Sequence, residues 1–309
     1  MDKIAVLIPC LNEEKTIRGV IRDWRDALPE ANIYVYDNNS TDKTIAVAKE
    51  ENAIVRHETK QGKGNVVRRM FREIDAECYI LVDGDGTYST SAAKEMVDFV
   101  LNKKVDMVIG DRLSTTYYAE NKRRFHNFGN NIVKNIINKM FDCEIKDVMT
   151  GYRAFSYQFV KTFSVLSHGF EIETEMTIHA VDKKLNIVNL EIEYMDRPEG
   201  SESKLNTYMD GYKVIKTILR LFRYYKPLRF FSTIAIALLL LAFIMFAPIL
   251  IEYCETGLVP RVPTLIVSGF VVIGAIQTFF SGLLLDSYAQ KNRQDFEQRL
   301  IDLAIRNEK

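Results

Sequence analysis

Short apolar runs alternate with amphipathic segments over the first 110 residues. The apolar runs cover residues 4–9, 33–37, 53–57, 79–83 and 105–110. Between them apolar residues recur at helical spacing, as in the stripe of Ile17, Val20, Ile21 and Trp24. Strands that alternate with helices predict βαβ units, and therefore an α/β fold with a mostly parallel sheet and helices on both faces.

The pattern changes beyond residue 110. Residues 111–205 are mixed, with a helical stretch at 127–141 and a strand-like stretch at 186–195. Residues 207–229 predict an amphipathic helix with basic residues on one face, a composition that suits an anionic membrane surface. A soluble helix with a solvated basic face is the alternative.

Two stretches near the C-terminus, residues 230–251 and 262–285, contain no charged residue. Each is longer than the roughly 20 residues that span a bilayer core, so we expect two transmembrane helices. Lys and Arg residues precede the first span and follow the second, whereas the loop between them is poor in both. The positive-inside rule therefore places both termini in the cytoplasm, in a multi-pass protein of the inner membrane. No N-terminal signal peptide is predicted.

These patterns predict four parts. They are a cytoplasmic catalytic domain at 1–206, the basic interfacial helix at 207–229, two transmembrane helices with a short external loop at 230–286, and a cytoplasmic tail at 287–309. Lys plus Arg and Asp plus Glu both number 41, so no net charge attracts nucleic acid. The four cysteines form no close-spaced pair and indicate reduced thiols, not a metal knuckle or a disulfide framework.

Polar side chains follow each of the first four predicted strands. Asn12 and Glu13 follow the first, Asp37 ends the second, a Gly-Lys-Gly motif centred on Lys63 follows the third, and Asp83 ends the fourth. The carboxyl ends of parallel strands form the ligand-binding edge of such a sheet. We therefore expect these residues to lie together at one edge.

Asp83 and Asp85 are two carboxylates only two positions apart, and such a pair gains most by sharing a cation or a proton. An EF-hand is excluded, because Tyr88 stands at its glycine position and Lys94 at its closing glutamate. A Mg²⁺ or Mn²⁺ site completed by substrate phosphates fits best, since Mg²⁺ keeps most of its shell for water and phosphate. A solvated turn without a role is the alternative.

Two other nucleotide-binding classes do not match. The sequence KQGKGN at 60–65 lacks the Ser or Thr and the upstream Gly of a P-loop. No G-x-G-x-x-G motif follows the first strand, which argues against a dinucleotide-dependent oxidoreductase. After the second strand, Asp37 is placed to accept ribose or base hydrogen bonds, while Ser40 or Thr41 is placed to cap the next helix.

Six motifs, IPCLNEE, DNNSTDKT, GKG, DGDGTY, DVMTGYR and RPEGSESK, occur in the order found in family 2 glycosyltransferases of the GT-A fold. Together with the two spans, the whole chain resembles the polyisoprenyl-phosphate glycosyltransferases, which include dolichol-phosphate mannose synthase and bacterial undecaprenyl-phosphate glycosyltransferases. One departure is the stretch Gly86-Thr87-Tyr88, where many relatives carry Gln or Leu and then Pro. It leaves open the path of the loop that follows the acidic pair.

The resemblance implies a Rossmann-like GT-A domain and an inverting enzyme. It would move a sugar from a nucleoside diphosphate sugar to polyprenyl phosphate, such as undecaprenyl phosphate, for cell-envelope glycosylation. UDP-glucose and UDP-N-acetylglucosamine are the leading donors, with GDP-mannose left open. The resemblance also implies a lipid bilayer as a partner and a homo-oligomer, for which a tetramer is one arrangement.

The resemblance further implies the roles of individual residues. Nucleotide binding would involve Pro9, Asn12, Glu13, Asp37, Gly62, Lys63 and Asp83. Mg²⁺ or Mn²⁺ would be held by Asp83 and Asp85, with Asp85 the more direct ligand. The catalytic group would be Asp83, Asp85, Asp147, Arg197 and Lys204, with Asp147 as a general base or as a residue that positions the acceptor. The acceptor phosphate would meet Arg112, Arg153 and Ser203.

Two other functions remain as alternatives. A processive polysaccharide synthase would carry a Gln-x-x-Arg-Trp stretch after the catalytic base, whereas the one tryptophan of this sequence is Trp24 in the first predicted helix. A membrane scaffold without catalysis would not require the catalytic positions, all of which are filled here. Neither alternative fits the sequence as well as sugar transfer to a lipid phosphate.

Overall fold

The computed structural model describes residues 1–114, 124–167, 169, 171–195 and 219–307, with side chains for all of these except 124–132 and 306–307. The chain divides into two compact units, one of Met1–Gly211 with Arg299–Lys309 and the other of Tyr212–Gln298. The first unit contains the sheet. The second contains most of the two long apolar helices.

The described strands are β1 (Asp2–Cys10), β2 (Asn32–Asp37), β3 (Ile54–His57), β4 (Ala76–Leu81), β5 (Met107–Asp111), β6 (Arg153–Ser156) and β7 (Ile187–Glu191). The described helices of the first unit are α1 (Ile17–Ala27), α2 (Thr44–Glu50), α3 (Lys63–Glu73), α4 (Ala93–Leu101), α5 (Arg124–Phe141), α6 (Tyr157–Thr162) and α7 (Ile172–Asp182). Helices α8 (Pro227–Thr256) and α9 (Val262–Asn307) follow. The five strands predicted before residue 111 are all present, with ends shifted by a few residues.

The strands form one sheet in the order β3-β2-β1-β4-β6-β5-β7. β1 pairs in parallel with both β2 and β4, so the chain reverses its direction of travel across the sheet between these neighbours. A crevice opens at such a switch point, outside the carboxyl ends of the strands. The predicted α/β fold with a mostly parallel sheet is therefore confirmed, and this rule places the crevice where the loops after β1 and β4 meet.

One strand runs against the others. β6 is antiparallel to both β4 and β5, with Arg153 opposite Leu81 on one side and Ile109 on the other. The sequence pattern did not reveal this strand, because it is only four residues long and directly follows the polar DVMTGYR motif. Since β6 is reversed, its amino end lies at the carboxyl edge of its neighbours. The loop at 147–152 is thereby brought to the crevice.

The core lies between the sheet and its covering helices. β1 is fully buried from Ile4 to Ile8, as expected for a strand covered on both faces. The predicted stripe of α1 is buried as well, and Trp24 contacts Tyr152 edge to face with ring centroids 5.4 Å apart. These contacts connect the first helix to the residue that directly precedes β6.

The second unit differs in composition from the first. α8 and α9 are long and apolar enough to cross a membrane, and large apolar side chains such as Phe243 and Leu284 are mostly exposed. Of the helix predicted over 207–229, residues 207–218 lie outside the described residues, and residues 219–225 are helical. This helical stretch ends before Lys226. α8 instead starts anew at Pro227, because proline lacks the N–H that a continuing helix needs and fits a first turn. Residues 287–307 of the predicted tail continue α9 as helix.

We expect Ile21→Ala to lower the free energy of unfolding of the first unit by about 2–5 kcal/mol, because it leaves a cavity beneath α1. Ile21 is fully buried in the core of the sheet domain. Unfolding by urea of the full-length chain in detergent, followed by the emission of Trp24, measures the change. Asp23→Ala on the exposed side of the same helix should stay within about 0.5 kcal/mol of wild type, and equal losses for both variants would contradict the assignment.

Candidate active site

The loops that follow β1, β2 and β3 are joined by hydrogen bonds between side chains and backbone. Asn12 donates its N–H to Ser40 Oγ at 2.9 Å, and its Oδ1 accepts the N–H of Thr41 at 2.8 Å. Asn38 connects the second loop to the third, because its Oδ1 accepts the N–H of Gly62 at 2.7 Å. Asn12 has a φ of +55°, a conformation that asparagine tolerates better than most residues. The three loops therefore form one rim.

Asp37 lies at the centre of this rim and is fully buried. Its carboxylate accepts the N–H groups of Asn39 and Ser40 at 3.1–3.3 Å, and His57 Nδ1 lies 2.9 Å from Asp37 Oδ2. The predicted nucleotide residue thus also shapes the loop after β2. His57, which shows no metal-binding spacing in the sequence, is its half-exposed neighbour.

Gly62 ends the third loop and stands at the amino end of α3 with a φ of +121°. A residue with a Cβ would be strained there, which explains the first glycine of the GKG motif. The turn directs the next residue, Lys63, inward. Its side chain is only 8% exposed.

Lys63 bridges two carboxylates. Its Nζ lies 2.5 Å from Asp83 Oδ1 and 2.6 Å from Glu173 Oε1, so elements distant in sequence meet at one ammonium group. Burial lowers the pKa of Lys63, but the charges of Asp83 and Glu173 outweigh burial and leave the pKa above its ordinary value. Burial raises the pKa of Glu173, and Lys63 opposes that effect. A positive charge is therefore held at the crevice.

The two aspartates after β4 are not equivalent. The side chain of Asp83 is 29% exposed, whereas Asp85 is only 5% exposed. Asp85 Oδ1 accepts the N–H and the hydroxyl of Thr87 at 3.2 and 2.7 Å. Asp83 is thus the more accessible carboxylate of the pair. The expectation that Asp85 is the more direct cation ligand remains a prediction.

Asp83 packs against the DVMTGYR loop. A Cβ added at Gly151 would lie 2.2 Å from Asp83 Oδ2, so any residue other than glycine would force Asp83 to move. The N–H of Gly151 donates to Tyr88 Oη at 2.9 Å, which ties this loop to the turn after the acidic pair. The glycine is therefore required by the position of the carboxylate.

Arg112 and Asp147 form a buried ion pair that the sequence did not foresee. Arg112 Nε donates to Asp147 Oδ2 at 2.8 Å, and the two residues are 7% and 0% exposed. The Arg112 guanidinium also lies over the ring of Tyr194, 5.4 Å from its centroid. In this arrangement Asp147 orients and neutralises Arg112, a geometry that favours the positioning role over that of a general base.

Arg153 has a different environment from the one expected. It is fully buried, and its guanidinium donates to Thr150 O, Val148 O and Thr177 Oγ1 at 2.6–3.1 Å. Burial lowers its pKa to about 10, so it stays charged at neutral pH. The side chain supports the DVMTGYR loop from below. Its predicted contact with an acceptor phosphate remains a prediction.

The chain after β7 returns to the same edge. Tyr194 forms an isolated bridge with Tyr88, and the N–H of Met195 donates to Thr87 O at 2.9 Å. Arg197, Ser203 and Lys204 belong to the segment 196–218, which lies outside the described residues. Their predicted roles remain predictions.

Most of the predicted residues thus converge, and one further residue joins them. Asn12, Asp83 and Arg112 lie in the loops after β1, β4 and β5, and Lys63 is the first residue of α3, after the loop that follows β3. The sequence did not single out Glu173. Of the alternating glutamates at 171, 173 and 175, only Glu175 is a candidate to support the acceptor site, and a solvated face is the equal alternative for all three. Glu173 stands out only once α7 is known to be buried on most sides, because a buried charged residue needs a partner.

We expect Gly151→Ala to weaken the binding of UDP with Mn²⁺ by roughly tenfold or more, because the added methyl group must displace Asp83. Titration calorimetry of the full-length chain in detergent measures the affinity. Gly19→Ala is the matched control, since a Cβ at Gly19 meets nothing within 4 Å. Wild-type affinity in Gly151→Ala would contradict the packing argument.

Removing one partner of the buried pair, by Arg112→Met or Asp147→Asn, should lower the free energy of unfolding by about 3–5 kcal/mol, because the other charge stays buried alone. The double variant should lose clearly less than the sum of the two. Denaturant unfolding of all four proteins tests this. Strict additivity would show that the two side chains do not stabilise each other.

Comparisons with known proteins identify the family of this chain. The profile of Glycosyl transferase family 2 matches residues 5–163, a stretch that runs from β1 to α6. Glycosyltransferase AglJ of Haloferax volcanii is 32% identical over 237 residues, which make up 76% of this chain and 77% of the relative. The dolichyl-phosphate hexose transferase of the same organism is 26% identical over 71% of this chain and 93% of the relative.

A solved structure shares the fold. Glucosyl-3-phosphoglycerate synthase from Mycobacterium tuberculosis, in complex with Mn²⁺ and UDP-glucose, matches with a TM-score of 0.55 and 19% identity, over 72% of this chain and 78% of that one. This structure shows a shared fold alone, whereas the family profile and the match to AglJ establish the family. The chain belongs to glycosyl transferase family 2 and is a glycosyltransferase related to the polyprenyl-phosphate hexosyltransferases.

Proposed function

We propose that this chain transfers a sugar from a nucleoside diphosphate sugar to a polyprenyl phosphate at a membrane surface. The observation that carries the proposal is the convergence of Asp83, Lys63 and the Arg112–Asp147 pair at the crevice of the sheet. The apolar helices α8 and α9 of the same chain support a membrane-bound acceptor. The name of the dolichyl-phosphate hexose transferase points to the same class of acceptor.

A divalent cation, Mg²⁺ or Mn²⁺, fits the donor set at Asp83 and Asp85. Within the described ranges, no group of three or more His, Cys, Asp or Glu side chains is arranged to hold a metal ion by itself. Two carboxylates whose cation completes its shell with diphosphate oxygens and water match the preference of Mg²⁺. When bound, the cation would stabilise the charge of the departing diphosphate. The structure of glucosyl-3-phosphoglycerate synthase with Mn²⁺ and UDP-glucose supports this choice.

Side chains of the protein would bind the nucleoside and stabilise the charge of the phosphates. Lys63 places a fixed positive charge beside Asp83, where it is able to stabilise the leaving diphosphate. The rim of Asn12, Asp37 and Gly62 would receive the nucleoside. Arg197, Ser203 and Lys204 would close over the diphosphate or the acceptor phosphate, as the family resemblance implies.

The acceptor requires little help with its proton. A lipid phosphate is largely ionised near neutral pH, because its second pKa is about 6. The fully buried Asp147 therefore acts in this proposal by holding Arg112 toward an anionic acceptor. Attack from the face opposite the leaving group would invert the anomeric carbon and give a β-linked product from an α-linked donor.

The donor and the membrane topology belong to the proposal as well. UDP-glucose and UDP-N-acetylglucosamine are the leading donors, with GDP-mannose as the next candidate. The basic residues that flank α8 and α9 favour a cytoplasmic catalytic domain and cytoplasmic termini. That placement would meet nucleotide sugars, which are cytoplasmic metabolites, and the phosphate of a polyprenyl lipid in one compartment.

Full-length protein in detergent, supplied with Mn²⁺, labelled nucleotide sugars and undecaprenyl or dolichyl phosphate, should form a labelled product that partitions into organic solvent. Chelation of the cation should abolish the product. Asp83→Asn and Asp85→Asn should each reduce turnover roughly 100-fold or more, because diphosphate stabilisation is lost.

Asp98→Asn on the surface of α4 is the matched control and should keep wild-type turnover. Formation of the lipid product at the full rate in excess chelator would defeat the metal assignment. No lipid product from any of the nucleotide sugars would defeat the proposed function.

A further inference from the structure

Glu173 is a further carboxylate at the crevice, and the predicted roles do not include it. It lies in the first turn of α7 and is only 4% exposed. One of its oxygens, Oε1, accepts a hydrogen bond from Lys63 Nζ at 2.6 Å. The same ammonium lies 2.5 Å from Asp83 Oδ1, so Glu173 acts on Asp83 through Lys63.

The other oxygen of Glu173 is unused. Oε2 is enclosed and has no hydrogen-bond partner within the part of the chain that the structure describes. A buried carboxylate oxygen without a partner is costly, and native proteins rarely leave one without a reason. This oxygen is an acceptor beside a lysine that carries several donor hydrogens.

Asp83 has two competing tasks under the proposed function. Its Oδ1 accepts a hydrogen bond from Lys63, yet the same carboxylate is needed for the donor and its cation. A divalent cation and an ammonium that share one carboxylate repel each other. Lys63 must therefore loosen its contact with Asp83 when the donor binds, although a buried ammonium that loses a partner is destabilised.

We propose that Glu173 is a positioning residue that keeps Lys63 in place when Asp83 releases it. Oε1 holds the ammonium in the ligand-free state, and Oε2 accepts the N–H that Asp83 gives up. Lys63 then stays paired and charged beside the diphosphate, while Asp83 is free to engage the donor. This role rests on the proposed function, because it requires Asp83 to meet a cation and a nucleotide.

Glu173→Gln tests the role with little change in shape. The amide oxygen is able to keep the bond to Lys63, but the amide nitrogen is a donor and cannot accept the released N–H. The affinity of the full-length protein in detergent for UDP with Mn²⁺, measured by calorimetry, should fall about tenfold or more. The melting temperature of the ligand-free protein should change by no more than a few degrees.

Glu175→Gln is the matched control on the same helix. The Glu175 carboxylate accepts the backbone N–H groups of Leu166 and Ser167 at 3.0 and 2.9 Å, away from Lys63. Its affinity for UDP with Mn²⁺ should stay within about twofold of wild type. An equal fall in both variants would overturn the role, because it would trace the effect to the helix and not to Glu173.

A double variant shows whether Glu173 acts through Lys63. In a Lys63→Met background, Glu173→Gln should cause little further loss of affinity, since the lysine it positions is gone. Additive losses would overturn the proposal and indicate a separate structural role, as would wild-type affinity in Glu173→Gln alone. Either of those results leaves the proposed function standing if wild type makes the lipid product. Failure of wild type to bind either UDP or GDP with Mn²⁺, together with no lipid product, would overturn the proposed function and this role together.

Discussion

The site depends on one buried ammonium group shared by two carboxylates. Lys63, Asp83 and Glu173 come from α3, the end of β4 and the start of α7, and without the lysine the two carboxylates would repel each other at low dielectric. The shared charge holds three parts of the chain at one point of the sheet edge. It also places an ammonium group, compensated by two carboxylates, at the edge where a diphosphate would arrive.

The reversed strand β6 provides the second constraint. Because it runs antiparallel between β4 and β5, its leading loop reaches the edge where the parallel strands end. That loop brings Gly151 against Asp83 and Asp147 against Arg112. Beneath it, the fully buried Arg153 holds the backbone of the loop through donated hydrogen bonds. The rigidity of the site thus comes from charges and donors that face inward, which leaves Asp83 as the accessible carboxylate.

The sequence patterns predicted the periodic elements of the fold. Strand and helix patterns up to residue 111 are strong, because each strand is an apolar run and each helix presents an apolar stripe such as that of α1. β6 was missed, since four residues after a polar motif give no periodic signal. The break at Pro227 was missed as well, because amphipathic spacing continues across it while the missing N–H of proline ends the helix locally.

For the site, the sequence by itself determined which residue types stand at the ends of the strands, because position along a βα unit dictates the edge at which a residue lies. It also determined that two long apolar segments close the chain. Only the tertiary structure decided the partners. Glu173 is 110 residues from Lys63 in sequence, and Asp147 is 35 from Arg112. Such pairings follow from the order of the strands in the sheet, which the local sequence pattern does not encode. Because the paired charges are buried, loss of either partner would leave an unpaired buried charge and destabilise the fold.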